Sequence, residues 1–302
     1  MLKKPVPRWQ PYALLALANL FWAGNWVLGR ALRDSFNPIT LNFWRWFLAA
    51  LALAPFAVPQ LAGKGALVRR HAPLLLALAL TGVVLFQSLV YLGLQTTTTV
   101  NAVLLNSSGP LFMLLCSWII ERERATPGQI AGMIVSFVGV VVILSRGEVA
   151  NLMQLRFHLG DAWILAAMPM WGVYSVLLKR WPKELHGTGF LFVLAATGVP
   201  LLAAGMLLEP AAASHNAIGP GALAGLAYVA LFASVGAFIC WNRGVAALGA
   251  NAAGFSMPLL PAFGTVLAIL FLGEQVRLFH FLGIATILIG VVLATRPAAR
   301  RP

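Results

Sequence analysis

The side chains that could do chemistry in this chain are set for recognition more than for bond making. Asn19, Trp22 and Trp26 recur at steps of three and four residues on one face of a long apolar run, with Asn25 beside them. Trp171, Tyr174 and Ser175 repeat the arrangement in the second half of the sequence. Indoles away from the ends of apolar runs suit a cavity that receives apolar or aromatic groups, and they equally suit plain packing. Gln87 and Tyr91 lie one turn apart; Asn101, Ser107 and Ser108 follow, and Ser256 comes later. Uncharged polar groups suit the ends of a zwitterion or a sugar, while Ser and Asn also hold helices together in lipid. Asn42, Arg45 and Trp46 share a face, and Arg45 puts a formal charge well inside an apolar run. Such a group points to function by default, here the attraction of a substrate carboxylate. The alternative is a long side chain snorkelling to the interface.

The acids and histidines sit elsewhere. Asp34, Glu121, Glu123, Glu148, Asp161, Glu184, Glu209 and Glu274 fall in loops or at the ends of apolar runs, as do His71, His158, His186, His215 and His280. A proton or sodium relay usually needs such a group at depth, so facilitated diffusion or exchange is expected. Ser107 or Ser108 as an intramembrane nucleophile would need a nearby base, and no run places one there, so no enzyme and no catalytic residue is expected. Gly63-Lys64-Gly65 lacks the Ser or Thr and the setting of a phosphate loop. Cys116 and Cys240 read as small packing residues, so neither metal nor cofactor is expected. A channel or receptor lacks support, since no charged pore ring appears.

Prolines supply the remaining signal. Pro110 and Pro261 each fall near the middle of an apolar run, with Pro258 just before the second. Each mid-helix proline leaves a carbonyl one turn earlier without its donor. They are expected as hinges or kinks bordering a transport site, against the alternative of packing kinks.

These residues need elements that live in lipid. Of 302 residues, 60% are hydrophobic and 10% charged, and the mean hydropathy is +0.87. Soluble domains carry about 25% charged residues, so soluble enzymes and disordered chains are excluded. With roughly 20 residues per crossing, the sequence predicts ten spans near 12–29, 39–58, 72–92, 99–119, 127–145, 160–178, 188–208, 220–240, 251–272 and 278–295. The basic start resembles a signal peptide, but its apolar stretch runs on to Gly29 without a convincing cleavage site, so it is read as a retained span. With both termini cytoplasmic, most of the 21 Lys and Arg fall on the cytoplasmic side. The net charge of +13 then reads as orientation in a bacterial inner membrane, with the lipid bilayer and not nucleic acid as partner.

The halves repeat. At one register Ala102 meets Ala253, Pro110 meets Pro261, Glu123 meets Glu274, Gly132 meets Gly283 and Gly139 meets Gly290; at a neighbouring one Trp22 meets Trp171. Five spans per half is an odd number, so residues 151–302 enter the membrane opposite to residues 1–150. Inverted repeats of this kind typify secondary transporters that alternate access around a midplane site.

Trp22, the run Asn106-Ser107-Ser108-Gly109-Pro110-Leu111-Phe112, Leu272-Gly273-Glu274, the spacings Gly132…Gly139 and Gly283…Gly290, and Pro258…Pro261 carry a family resemblance. Over nearly its whole length the chain resembles the EamA-type members of the drug/metabolite transporter (DMT) superfamily. The resemblance implies an all-α integral membrane protein: ten transmembrane helices in two inverted five-helix repeats around a central cavity, with spans five and ten at the periphery. It implies substrates among amino acids, nucleosides, sugars and drugs. Glu121-Arg122-Glu123 departs from the usual Leu-Gly-Glu ending and puts a loop contact in question. In overall layout the chain is similar to the YddG-type exporters of aromatic and neutral amino acids. The expectation is therefore an exporter of small amphiphilic metabolites, led by neutral and aromatic amino acids and methionine, with a nucleoside or sugar exporter as the alternative. Gly128-x-x-x-Gly132 allows close helix packing within the chain or between subunits, which leaves the oligomeric state open.

Overall fold

The computed structural model describes residues 7, 9–153, 156–185, 187–209, 219–272 and 275–295, and no strand occurs among them. Gly273, Glu274, His186, His215, Lys3, Lys4, Arg8, Arg296, Arg300 and Arg301 lie outside the described residues. Nine stretches among those described are long and apolar enough to cross a membrane. The long helices are α1 (Gln10–Ala31), α2 (Pro38–Leu61), α3 (Ala72–Thr96), α4 (Thr99–Asn106 then Gly109–Glu121) and α5 (Pro127–Leu144). The second half supplies α6 (Leu159–Leu177), α7 (Gly187–Met206), α8 (Pro220–Leu248), α9 (Ala250–Gly254 then Leu259–Leu272) and α10 (Leu278–Thr295). The expected span at 251–272 is the one missing from the nine, because Phe255 to Pro258 interrupt its helix.

Starts are written in the sequence. Pro38, Pro127 and Pro220 open α2, α5 and α8, where the missing N–H has no intrahelical partner to lose. Thr126 and Gln129 close a reciprocal capping box at α5. Less visible is a π-helical turn at Ala79–Leu85 inside α3 and another at Val229–Gly236 inside α8. Such turns are rare and often sit at functional sites. α8 runs well past the expected 220–240, to Leu248 and the left-handed Gly249.

The helices interlock across the two halves. α1 packs on α8 and α9, α6 packs on α3 and α4, and α2 lies along α7. α5 and α10 pack on each other and stand apart, with only 28% of each buried. Their contact is close: a Cβ at Gly132 would lie 2.4 Å from the Ala294 nitrogen, and one at Gly139 2.7 Å from the Gly283 oxygen. Gly128 meets nothing comparable. The seam is thus internal and runs through Gly132, Ser136 and Gly139 against Gly283, Ile287 and Gly290, not through the Gly128-x-x-x-Gly132 pair. Ile134, Phe137, Leu282 and Ile289 face outward, as a lipid-exposed surface requires.

Polar ties hold both ends of α4. At its start Asp161 accepts from Thr97 Oγ1, from Asn101 Nδ2 at 2.9 Å and from the His158 backbone at 2.8 Å. Past its end Lys179 pairs with Glu123 at 2.5 Å, and Arg180 with Glu121 at 2.7 Å. The Glu121-Arg122-Glu123 departure therefore makes a contact of its own. The Lys179 ammonium holds the Glu123 carboxyl below the usual carboxylate range against a smaller opposing effect of burial.

Candidate functional site

Where α1, α3, α4, α6 and α9 meet, they line a narrow, partly open cavity. Its aromatic wall is Trp22 and Trp26 from α1, Phe86 from α3 and Trp171 from α6. The Trp22 and Trp171 rings meet edge to face, 5.1 Å apart and 89° to one another, the arrangement that ring quadrupoles favour. Trp22 also touches Phe238 and Trp241, and its Nε1 donates to the Ala233 carbonyl at 3.0 Å. That carbonyl lies in the π-helical turn of α8, so the backbone irregularity anchors the indole. Val90, Met257 and Leu260 complete the apolar lining.

Four amide side chains line the same space: Asn19, Asn25, Gln87 and Asn106. Asn19 Nδ2 donates to the Leu15 carbonyl and to Ser256 Oγ, at 2.8 and 3.1 Å, while its Oδ1 has no partner. Asn106 Nδ2 is likewise unpaired. A buried polar atom left unpaired costs about 1–3 kcal/mol, so these atoms favour a ligand that completes them. No residue lining the cavity carries a formal charge. The lining sets an apolar and aromatic wall beside hydrogen-bonding amides, the chemistry that matches a small molecule with an apolar or aromatic body and polar ends.

Of the residues singled out in the sequence as substrate-binding, Trp22, Asn25, Trp26, Gln87 and Trp171 line this cavity. Tyr174 stands behind it, stacked on Trp171 at 5.1 Å, with its hydroxyl on Asn242 at 2.8 Å. Tyr91 and Arg45 are also a layer back, both fully buried. Arg45 does not snorkel: its guanidinium bonds Ser234 Oγ at 2.5 Å, the Ala233 carbonyl at 3.0 Å and the Tyr91 hydroxyl at 3.1 Å. Asn101 is a correction. It sits in the first turn of α4, tied to Asp161 and to the Arg156 carbonyl, well away from the cavity.

The serines and prolines are corrected together. α4 breaks at Ser107–Ser108 and α9 at Phe255–Pro258, so Pro110 and Pro261 stand in the first turn of a fresh segment instead of kinking a continuous helix. Pro258 belongs to the break itself. A proline needs no donor there. The broken ends keep their carbonyls satisfied with their own hydroxyls: Ser107 Oγ donates to Val103, Ser108 Oγ to Leu105 and Ser256 Oγ to Ala253, at 2.9, 2.6 and 2.7 Å. The Ser107 and Ser108 hydroxyls serve the backbone, while Ser256 Oγ also accepts from Asn19 and so supports a lining residue; the α4 break is what presents Asn106. Single Ser107→Ala and Ser108→Ala variants are therefore expected to keep transport by reconstituted vesicles within about twofold of wild type, since each loses one net hydrogen bond of about 1 kcal/mol outside the cavity. A tenfold loss in either would return that hydroxyl to the site.

Sequence reasoning missed Phe86, Val90, Met257, Leu260 and Asn106 as lining, and Phe238 and Trp241 as support. Only Asn106 had a signal, its place beside the serine–glycine–proline break.

Comparison with known proteins agrees with this architecture. Residues 9–145 and 158–296 match the EamA-like transporter family. The chain is similar to the uncharacterized transporter YyaM of Bacillus subtilis, 25% identical over 94% of this chain and 93% of the other. It is 28% identical to a probable terminal-alkyne amino-acid exporter of Streptantibioticus cattleyicolor, over 93% of this chain and 92% of the other. A solved crystal structure shares the fold with a TM-score of 0.72 at 21% identity, covering 94% of this chain and 96% of that one.

Proposed function

The chain belongs to the EamA-like transporter family, and we propose that it is a secondary transporter exporting small amphiphilic metabolites, neutral and aromatic amino acids and methionine first among them. The observation that carries this reading is the cavity: four uncharged amides facing Trp22, Trp26, Phe86 and Trp171. Its rings suit an aromatic or thioether side chain, and its amides suit the two ends of a zwitterion. A relative named as an amino-acid exporter supports the same class.

In this reading residues 250–272 are a tenth span whose helix is broken at mid-membrane, as α4 is. Residues 1–150 and 151–302 are then two inverted halves. Support comes from the doubled family match, from π-helical turns in the third helix of each half, and from the first helix of each half packing on the third and fourth of the other. Such interlocked halves rock about a shared site to alternate access. The excess of basic residues on one face sets both termini in the cytoplasm of a bacterial cell, with the protein in its inner membrane.

Vesicles holding purified protein, loaded with labelled phenylalanine, methionine, uridine or glucose, test the substrate claim. Saturable release of the amino acids is expected. Release of uridine or glucose alone would assign the protein to another metabolite class.

A further inference from the structure

We propose that Arg45 selects for a carboxylate on the transported molecule, acting through Tyr91 and Asn25 as a positioning residue behind the cavity; this rests on reading the cavity as the transport site. The guanidinium is fully buried, and among the described residues no carboxylate pairs with it. Its partners are a hydroxyl, a carbonyl and a phenol, all neutral. An arginine stays protonated in proteins, and a buried charge without a counter-ion is costly unless something compensates it.

The direction of the hydrogen bonds says what that something is. Arg45 Nη1 donates to the Tyr91 hydroxyl at 3.1 Å, and that hydroxyl donates to Asn25 Oδ1 at 3.0 Å. Its oxygen already accepts from Tyr91, so the group Asn25 has wholly uncommitted toward the cavity it lines is its Nδ2 donor. The chain thus runs from a cation, donor to acceptor, and ends on a donor; each bond polarises the next in the same sense. A second link removes a competing acceptor, because the Ala233 carbonyl is shared by Arg45 Nη2 and Trp22 Nε1. Six residues earlier on the same helix, the unpaired atom of Asn19 is an oxygen. The site therefore offers the Asn25 Nδ2 donor, backed by positive charge, a second unpaired donor at Asn106 Nδ2, and an acceptor at Asn19. That polarity orients a zwitterion with its carboxylate toward Asn25 and its ammonium toward Asn19, and it disfavours a purely cationic ligand.

Tryptophan fluorescence of the purified protein, titrated with phenylalanine and with phenylalaninamide, tests this. The two ligands differ only in the carboxylate. Wild type is expected to bind phenylalanine at least tenfold more tightly. Arg45→Met and Tyr91→Phe should bring the two affinities within threefold of each other, mainly by weakening phenylalanine, and Arg45→Lys should restore part of the preference. Tyr91→Phe keeps the buried cation and covers the case in which Arg45→Met fails to fold. A wild type without the preference, or variants that weaken both ligands alike, overturns the proposal. If phenylalanine is still released saturably from vesicles, the transport reading survives that result. If the preference holds but no amino acid is released, the transport reading fails alone.

Discussion

Trp22→Ala is expected to raise the KM for phenylalanine at least about tenfold in reconstituted vesicles, equivalent to about 1.4 kcal/mol, while the protein still purifies as a monodisperse species. Trp22 is only part-buried and presents its ring to the cavity, so truncation removes ligand contact first. It also removes the edge-to-face pair with Trp171 at 5.1 Å and the contact with Phe238 at 5.9 Å, and such pairs contribute about 0.5–1.5 kcal/mol each beyond their area. Trp22→Phe separates the two roles. It keeps an aromatic face for the substrate and loses the Nε1 bond to the Ala233 carbonyl, so a smaller rise in KM is expected. Trp171 is 1% exposed, and Trp171→Ala leaves a hole that nothing nearby fills; burial changes of this size cost about 3–5 kcal/mol. That variant reports on folding as much as on binding. Unchanged transport by Trp22→Ala would remove the indole from the site.

Gly290→Val is expected to separate α5 from α10 and to lower the melting temperature of the detergent-solubilised protein more than Trp22→Ala does. A Cβ at position 290 would stand 2.3 Å from Ser136 Oγ, 2.4 Å from the Ser136 nitrogen and 2.5 Å from the Gly132 oxygen. Two of those atoms are backbone and cannot swing away, so the helices must part. Overpacking costs about 1–3 kcal/mol where side chains can adjust, and the cost here exceeds that range because they cannot. The Ser136 bond to the Ile287 carbonyl at 3.2 Å is lost with the seam. Because this pair stands apart from the cavity, the surviving folded fraction should bind phenylalanine with unchanged affinity. A melting temperature within a degree of wild type would show that the seam tolerates separation.

The contrast between these two positions shows what could be read from residues alone. Trp22 was legible because Asn19, Trp22 and Trp26 recur at helical steps and because the repeat pairs Trp22 with Trp171. Gly290 was legible through its partner Gly139 in the repeat, although which helix each glycine approaches was not. Phe86, Met257 and Leu260 were hidden because in lipid an apolar residue carries no mark of which face turns inward. The π-helical turns at Ala79–Leu85 and Val229–Gly236 contain no proline and only one glycine each, so nothing local announces them. Yet one of them supplies the Ala233 carbonyl that holds both Trp22 and Arg45. Asn101 misled because a polar residue in an apolar run looks deep until the helix start is fixed. Thr98 caps that start by accepting from the Asn101 backbone at 3.1 Å, which places Asn101 in the first turn. Pro110 and Pro261 marked where these helices are interrupted, but a proline's position within an apolar run does not say whether the helix bends or restarts.

The central claim is that substrate passes through the cavity by way of states open to opposite sides. Gln87 lines it and makes no hydrogen bond among the described residues, so Gln87→Cys disturbs little. Cys116 and Cys240 are buried, which leaves the wild-type chain as the unlabelled control. The measurement is the rate at which a membrane-impermeant maleimide modifies Gln87→Cys, applied to right-side-out and to inside-out vesicles, with and without phenylalanine. Modification from both sides, slowed by phenylalanine in each, is expected. Labelling from one side only, or labelling that phenylalanine leaves unchanged, would contradict it.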